Sequence, residues 1–169
     1  GKRVLGVEPW MDVDIEEEDS LAERLQKKQA EKGVDIAVIR FPKISNFTDF
    51  QAFSMEEQVS VRYVERAEEL GSPDLILLPG TKNTMKDLLW LRQAGLEAAI
   101  QRKAEEGTLV LGICGGYQML GERIEDPEGA EGGGSLRGMG LLPARTRFLP
   151  QKTRTQARGG AGELPGFFR

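Results

Sequence analysis

Histidine is absent from this chain of 169 residues, and cysteine occurs once, at position 114. Without imidazole the sequence has no side chain that titrates unperturbed near neutral pH and lacks the commonest metal ligand. Cys114 has no partner residues that would make it a metal ligand, and no metal site is expected. A single Cys excludes an intramolecular disulfide framework and fits a reducing cytoplasm. No apolar run approaches the length of a membrane span. Nothing at the N-terminus resembles a signal peptide. The expected location is cytoplasmic, with no membrane partner.

What is present suffices for one ordinary domain: 39% of the residues are apolar, enough for a real core at this length. The net charge of -4 conceals an asymmetry, with acids crowded between Glu8 and Asp19 and basic residues dominating from Arg137 onward. A solvated surface or a disordered end explains such a tail more simply than a polyanion site does. No nucleic-acid partner is expected.

The most informative stretch is Thr108 to Gly121, TLVLGICGGYQMLG. The apolar run Leu109-Val110-Leu111 stops at Gly112-Ile113-Cys114-Gly115-Gly116 and resumes as a helix through Tyr117, Gln118, Met119 and Leu120. Periodicity alone does not separate a short apolar strand from a buried helix. The glycines favour buried parallel strand, tight turn, then helix. Hydrolases place a nucleophilic Ser on such a turn, where flanking glycines accept strained dihedrals and leave room beside the nucleophile. The N–H groups of the following helix are expected to point at the sulfur, lowering the thiol pKa and donating to a developing oxyanion. A lone Cys is more often a small buried hydrophobe, but glycines at 112, 115 and 116 behind an apolar strand favour an exposed, activated nucleophile at Cys114.

Along the chain, Arg3-Val4-Leu5-Gly6-Val7 is β-like and is broken at Pro9. Ser20 and Glu23 form a capping-box pattern for a helix that ends at Gly33. Val34–Arg40 is a core strand, residues 44–50 an irregular surface loop or the rim of a site, and Val59–Val64 a strand nearer an edge. Asp74–Leu78 is a continuous apolar strand ending at Pro79-Gly80-Thr81. Thr84-x-x-Asp87 is expected to cap the next helix, and a second helix runs from Leu96 to Glu105, closed by Gly107. Strands alternating with helices argue for an open, mostly parallel α/β sheet. Ligands of such sheets sit beyond the carboxyl ends of the strands. The glycine turns at 80 and 115 both fall there, so the N–H of Gly80 or Thr81, with that of Gly115, is expected to form an oxyanion hole around a carbonyl attacked by Cys114. Residues 122–135 read as a flexible loop, and 139–142 with 144–148 as a last hairpin or strand pair.

Several ordered motifs resemble one family. They are Gly6-Val7 through Glu18-Asp19-Ser20, Phe41-Pro42 through Ile44–Phe50, Leu78-Pro79-Gly80-Thr81-Lys82-Asn83-Thr84, Trp90-Leu91-Arg92 with Gly95-Leu96, and Gly112-Ile113-Cys114-Gly115-Gly116-Tyr117-Gln118. Together they resemble the class I glutamine amidotransferase domains of cobyric acid synthase type. The resemblance implies a flavodoxin-like glutaminase domain over residues 20–156. Residues 1–19 would be the tail of a preceding ATP-dependent ligase domain or a linker, and 157–169 a disordered tail.

By this resemblance Cys114 forms a glutamyl thioester, Gly80, Thr81 and Gly115 belong to the oxyanion and substrate-binding region, and Gln118 lies in the glutamine pocket. The domain itself would need no cofactor. ATP and Mg²⁺ would serve the ligase domain, which uses the released ammonia to amidate adenosylcobyrinic acid a,c-diamide, the corrinoid partner in cobalamin biosynthesis. The family's catalytic His lies in a His-Met-Gly type motif that has no counterpart in these residues. The chain as given is therefore expected to be slow or inactive. The alternatives are a non-catalytic glutamine-binding or regulatory module, and the glutaminase domain of a related cobyrinate diamide synthase or cell-wall amidotransferase.

Overall fold

The computed structural model describes residues 33–42, 50–54 and 56–151. The expected strand at Arg3–Val7, the helix capped by Ser20, most of the 44–50 loop and the tail from 157 lie outside the described residues.

Four parallel strands form the main sheet: β1 (Val34–Ile39), β2 (Val59–Val64), β3 (Leu75–Leu78) and β4 (Leu109–Gly112), in the order β2-β1-β3-β4. The register sets Ile36 beside Leu75 and Leu77 beside Leu111, so alternate residues share a face across the strands. From β1 the chain steps one way to β2, then the opposite way to β3 and β4. Right-handed crossovers must then place the first connection on one face and the next two on the other.

The core follows that rule. On one face Ala37, Ile39, Val64, Ile76 and Leu78 pack with residues of α2 (Thr84–Gln93) and α3 (Leu96–Glu105), among them Leu88, Leu91, Leu96 and Ile100, all fully buried. On the other face Ile36, Val38 and Leu77 meet Phe50, just before the short α1 (Gln51–Ser54). Burying each large side chain contributes about 1.5–3 kcal/mol, which makes the two-faced sheet the framework of the fold. Trp90 of α2 packs edge-on against Phe41 beyond β1, with ring centroids 6.1 Å apart.

Several expectations need correction. The strand before Cys114 is an edge strand rather than a buried one: Leu109 is 60% and Leu111 47% exposed, because the described residues cover only the face that Val110 shares with the helices. Helix α2 is capped by Asn83, one residue before the expected Thr84. Asn83 is extended and its side chain accepts the N–H of Lys86, which leaves Thr84 and Asp87 buried for other contacts. The expected 122–135 loop is largely ordered structure. A second sheet, β6-β5-β7, joins β5 (Arg123–Asp126) to an antiparallel β6 (Gly134–Arg137) and a parallel β7 (Arg145–Arg147). Ile124, fully buried at its centre, supplies the hydrophobic reason for the pairing.

Only 145–147 of the expected last strand pair is a strand. Residues 139–142 instead bond to the end of α4 (Gly115–Leu120): the N–H of Met139 donates to the carbonyl of Met119 and that of Leu141 to Leu120, at 2.8 and 2.9 Å. The second sheet is fixed to the helices as well. Arg92 pairs with Glu97 and donates to the carbonyl of Arg137, while Gln101 donates to the carbonyl of Met139 at 2.7 Å.

Candidate active site

The site grows from the ends of β3 and β4. Past Gly112, the N–H of Ile113 donates to the carbonyl of Leu78 at 2.9 Å, so the two strand ends are tied at the point where both chains turn. Cys114 then adopts φ 51° and ψ -112°, and it is the one non-glycine residue with positive φ among the described residues. A side chain held there costs about 1–3 kcal/mol, and such strain clusters where a reactive group must be presented. The thiol is exposed. Strand, strained turn and helix thus form the nucleophile elbow expected from the sequence.

The two glycines after Cys114 are required by close approach. A Cβ on Gly116 would sit 2.1 Å from the carbonyl oxygen of Leu78, so α4 lies directly on the end of β3. A Cβ on Gly115 would sit 2.7 Å from Cγ2 of Thr81, 3.1 Å from Oγ1 of Thr84 and 3.5 Å from the backbone nitrogen of Thr81. The corner after β3 and the corner after β4 therefore touch. Gly80 is buried beside Thr81, and Cys114 stands at the exposed rim.

One expectation is narrowed. The helix was expected to aim its first N–H groups at the sulfur, but that of Gly116 donates to the carbonyl of Ile113 at 2.9 Å, and that of Gln118 to the carbonyl of Cys114 at 3.1 Å. The tight turn consumes these donors internally.

Gln118 is half-buried, and its Oε1 accepts from the Thr84 hydroxyl at 3.1 Å. Thr81 donates its hydroxyl to Asp87, and the N–H of Asn83 donates to that hydroxyl oxygen at 3.3 Å. The first turn of α2 is thereby linked to both corners. The sequence signal for Thr84 and Asp87 was read as a cap, and their actual partners lie across the turn and on α4.

Two further residues adjoin this turn and were missed. Asp126, at the end of β5, is fully buried and accepts the N–H groups of Ala130, Glu131 and Gly133 at 2.7–2.8 Å. Burial works against its ionisation, but the backbone N–H groups of Glu131, Gly133, Ala130 and Gly129 outweigh it and hold the carboxyl below its ordinary range. Glu131 reaches the first turn of α2, where its Oε2 accepts the N–H of Met85 at 2.9 Å. The signal was an Asp opening a glycine-rich turn, Asp126-Pro127-Glu128-Gly129, a pattern in which a carboxylate gathers its own backbone donors. No group of three or more His, Cys, Asp or Glu that could hold a metal occurs among the described residues.

The family model of the CobB/CobQ-like glutamine amidotransferase domain matches residues 35–165. The cobyric acid synthase of Lachnoclostridium phytofermentans is 54% identical over 96% of this chain and 31% of its own length. That of Ruminiclostridium cellulolyticum is 53% identical over 98% of this chain and 32% of its own. That of Salmonella agona is 48% identical over 99% and 33%. The chain spans about a third of the length of these curated relatives. A crystal structure of a glutamine amidotransferase superposes with a TM-score of 0.51 at 20% identity, covering 66% of this chain and 55% of that one, a likeness of fold. The matched model covers both glycine corners and the cysteine elbow, and the chain belongs to the family of CobB/CobQ-like glutamine amidotransferase domains.

Proposed function

We propose that this chain is the glutaminase part of a cobyric acid synthase, residues 20–156 forming that domain and residues 1–19 leading from an ATP-dependent ligase domain. The Cys114 thiolate attacks the side-chain carboxamide carbon of glutamine. Charge on the carbonyl oxygen is met by the N–H groups of Gly80 or Thr81 and of Gly115. Collapse of the tetrahedral intermediate releases ammonia, once its nitrogen gains a proton, and leaves a glutamyl thioester that water hydrolyses. Gln118, held by Thr84, lines the glutamine side of the pocket.

The single observation that carries this reading is the contact of the two corners. The Gly115 Cβ position lies 3.5 Å from the nitrogen of Thr81, directly beside the strained Cys114. Donors so placed act in a preformed site, where removing one costs about 10²–10³ in rate. Kinship with cobyric acid synthases over nearly the whole chain supports adenosylcobyrinic acid a,c-diamide as the acceptor in the ligase part, in the cytoplasm. ATP and Mg²⁺ belong to that part. The described residues of this chain do not fit the cation, and no step here passes through it.

The absence of His favours a second reading, a glutamine-binding module with little or no turnover. No imidazole is available to carry the proton from thiol to leaving amine, so turnover by these residues alone is expected to be slow. Both readings are tested by treating the chain with a chloroketone analogue of glutamine and mapping the adduct by mass spectrometry. The glutaminase reading expects saturable alkylation of Cys114 that glutamine suppresses. Alkylation no faster than in the urea-unfolded chain, or indifferent to glutamine, rejects it. Protection by glutamine without any trappable thioester supports the binding module.

A further inference from the structure

The loop 127–133, between β5 and β6, belongs to the second sheet, yet it reaches the first turn of α2. Its path is set by the buried Asp126 carboxylate: Oδ1 accepts from Ala130 at 2.8 Å, and Oδ2 from Glu131 at 2.7 Å and Gly133 at 2.8 Å. Glu131, so placed, accepts the N–H of Met85 through Oε2 at 2.9 Å, and its carbonyl faces Nδ2 of Asn83 at 3.5 Å. Met85 is the second residue of α2, and its N–H is one of the donors that a helix leaves without an intrahelical partner. The Asn83 side chain serves the N–H of Lys86, and Glu131 serves its neighbour.

That turn is where the reactive corner is anchored. The Thr81 hydroxyl bonds to Asp87, the Asn83 N–H bonds to the Thr81 hydroxyl oxygen, and the Thr84 hydroxyl bonds to Gln118. A shift of the first turn of α2 would therefore displace Thr81 relative to Gly115 and Cys114. We infer that Glu131 is a positioning residue, whose carboxylate oxygen, held in place by Asp126, fixes the first turn of α2 and with it the Thr81 corner against the cysteine elbow. The functional half of this inference rests on the glutaminase reading; the structural half does not.

The test uses Glu131→Ala and Glu131→Gln in the full chain. Gln keeps a side-chain oxygen for the Met85 N–H and loses the charge, whereas Ala loses both. Two readouts are taken: amide hydrogen exchange over Thr81–Lys86, and the rates of Cys114 alkylation by the chloroketone glutamine analogue and by iodoacetamide. Iodoacetamide needs only an exposed thiol. Glu131→Ala should speed exchange at Met85 about tenfold, the scale of one charge-assisted hydrogen bond. It should slow chloroketone alkylation by a similar factor, with the iodoacetamide rate within about twofold of the parent. Glu131→Gln should restore both to within about threefold of the parent.

Unchanged exchange and unchanged chloroketone selectivity in Glu131→Ala overturn the inference. Glu131→Gln behaving like Glu131→Ala also overturns it, because the charge would then act on the ligand directly. If glutamine fails to protect the parent chain, the glutaminase reading falls, and the exchange readout still decides whether Glu131 holds the turn.

Discussion

Replacing Gly115 with Ala tests the central geometry directly. The new methyl would stand 2.7 Å from Cγ2 of Thr81 and 3.1 Å from Oγ1 of Thr84. Carbon atoms prefer about 3.5–4.0 Å, so the two corners must part by about 1 Å. Overpacking of this kind costs about 1–3 kcal/mol, and the Gly→Ala change in a helix returns about 0.5–1 kcal/mol of it. The net loss of at most about 2.5 kcal/mol lowers the melting temperature by less than about 10 °C at this chain length. The chemical effect is larger, because a displacement of about 1 Å between reacting groups costs about 10²-fold in rate. Glutamine-protected alkylation of Cys114 by the chloroketone analogue should fall by that order, while iodoacetamide alkylation stays near the parent value. Thr81→Ser removes the methyl that collides and keeps the hydroxyl that bonds Asp87. The double variant Gly115→Ala/Thr81→Ser should therefore recover most of the lost rate. If Gly115→Ala reacts like the parent, or if Thr81→Ser gives no recovery, the contact between the corners does not govern the reactivity of Cys114.

Other substitutions probe the frame around that corner. Gly116→Ala drives a methyl to 2.1 Å from the Leu78 carbonyl oxygen, so it should destabilise by about 3 kcal/mol or more, read as a lowered urea midpoint; an unchanged midpoint contradicts the close packing of α4 on β3. Arg62 bonds both carboxylate oxygens of Asp35 at 3.0 Å and the carbonyls of Glu69 and Leu70, so Arg62→Ala should cost about 1–3 kcal/mol by chemical denaturation. The Asp126 carboxyl is held below its ordinary value of 3.8 despite burial, by the backbone N–H groups around it. A depressed folded-state value means that the ionised group stabilises the fold at pH values above 3.8, and that this stability is lost as the pH falls through the lower folded-state value. The difference in urea midpoint between the parent and Asp126→Asn should be constant near neutrality and shrink in acid; a gap that is independent of pH refutes the assignment.

The cysteine elbow was legible because its requirements are local. An apolar strand, a residue at positive φ and flanking glycines are adjacent in sequence, and Cys114, Gly115 and Gly116 occupy those places in the structure. The parallel sheet was legible for the same reason, since β1, β2 and β3 each carry an uninterrupted apolar or alternating pattern. The edge position of β4 was not, because Leu109 and Leu111 read as core until neighbours are assigned. The β5–β6 hairpin was hidden by its glycines, which suggest a loop although Ile124 is buried and paired.

The sequence by itself determined the class of the fold and the identity of the nucleophile, since strand, turn and helix follow from residue order and from the steric freedom of glycine. It also marked which corners lie at the carboxyl ends of strands. Only the tertiary structure decided that Thr81 meets Gly115, that Thr84 bonds to Gln118, and that Glu131 reaches back from another sheet to the first turn of α2. Those contacts join residues 34 to 46 positions apart. Their partners are selected by crossover handedness, burial and the saturation of backbone donors, quantities that arise once the chain has packed.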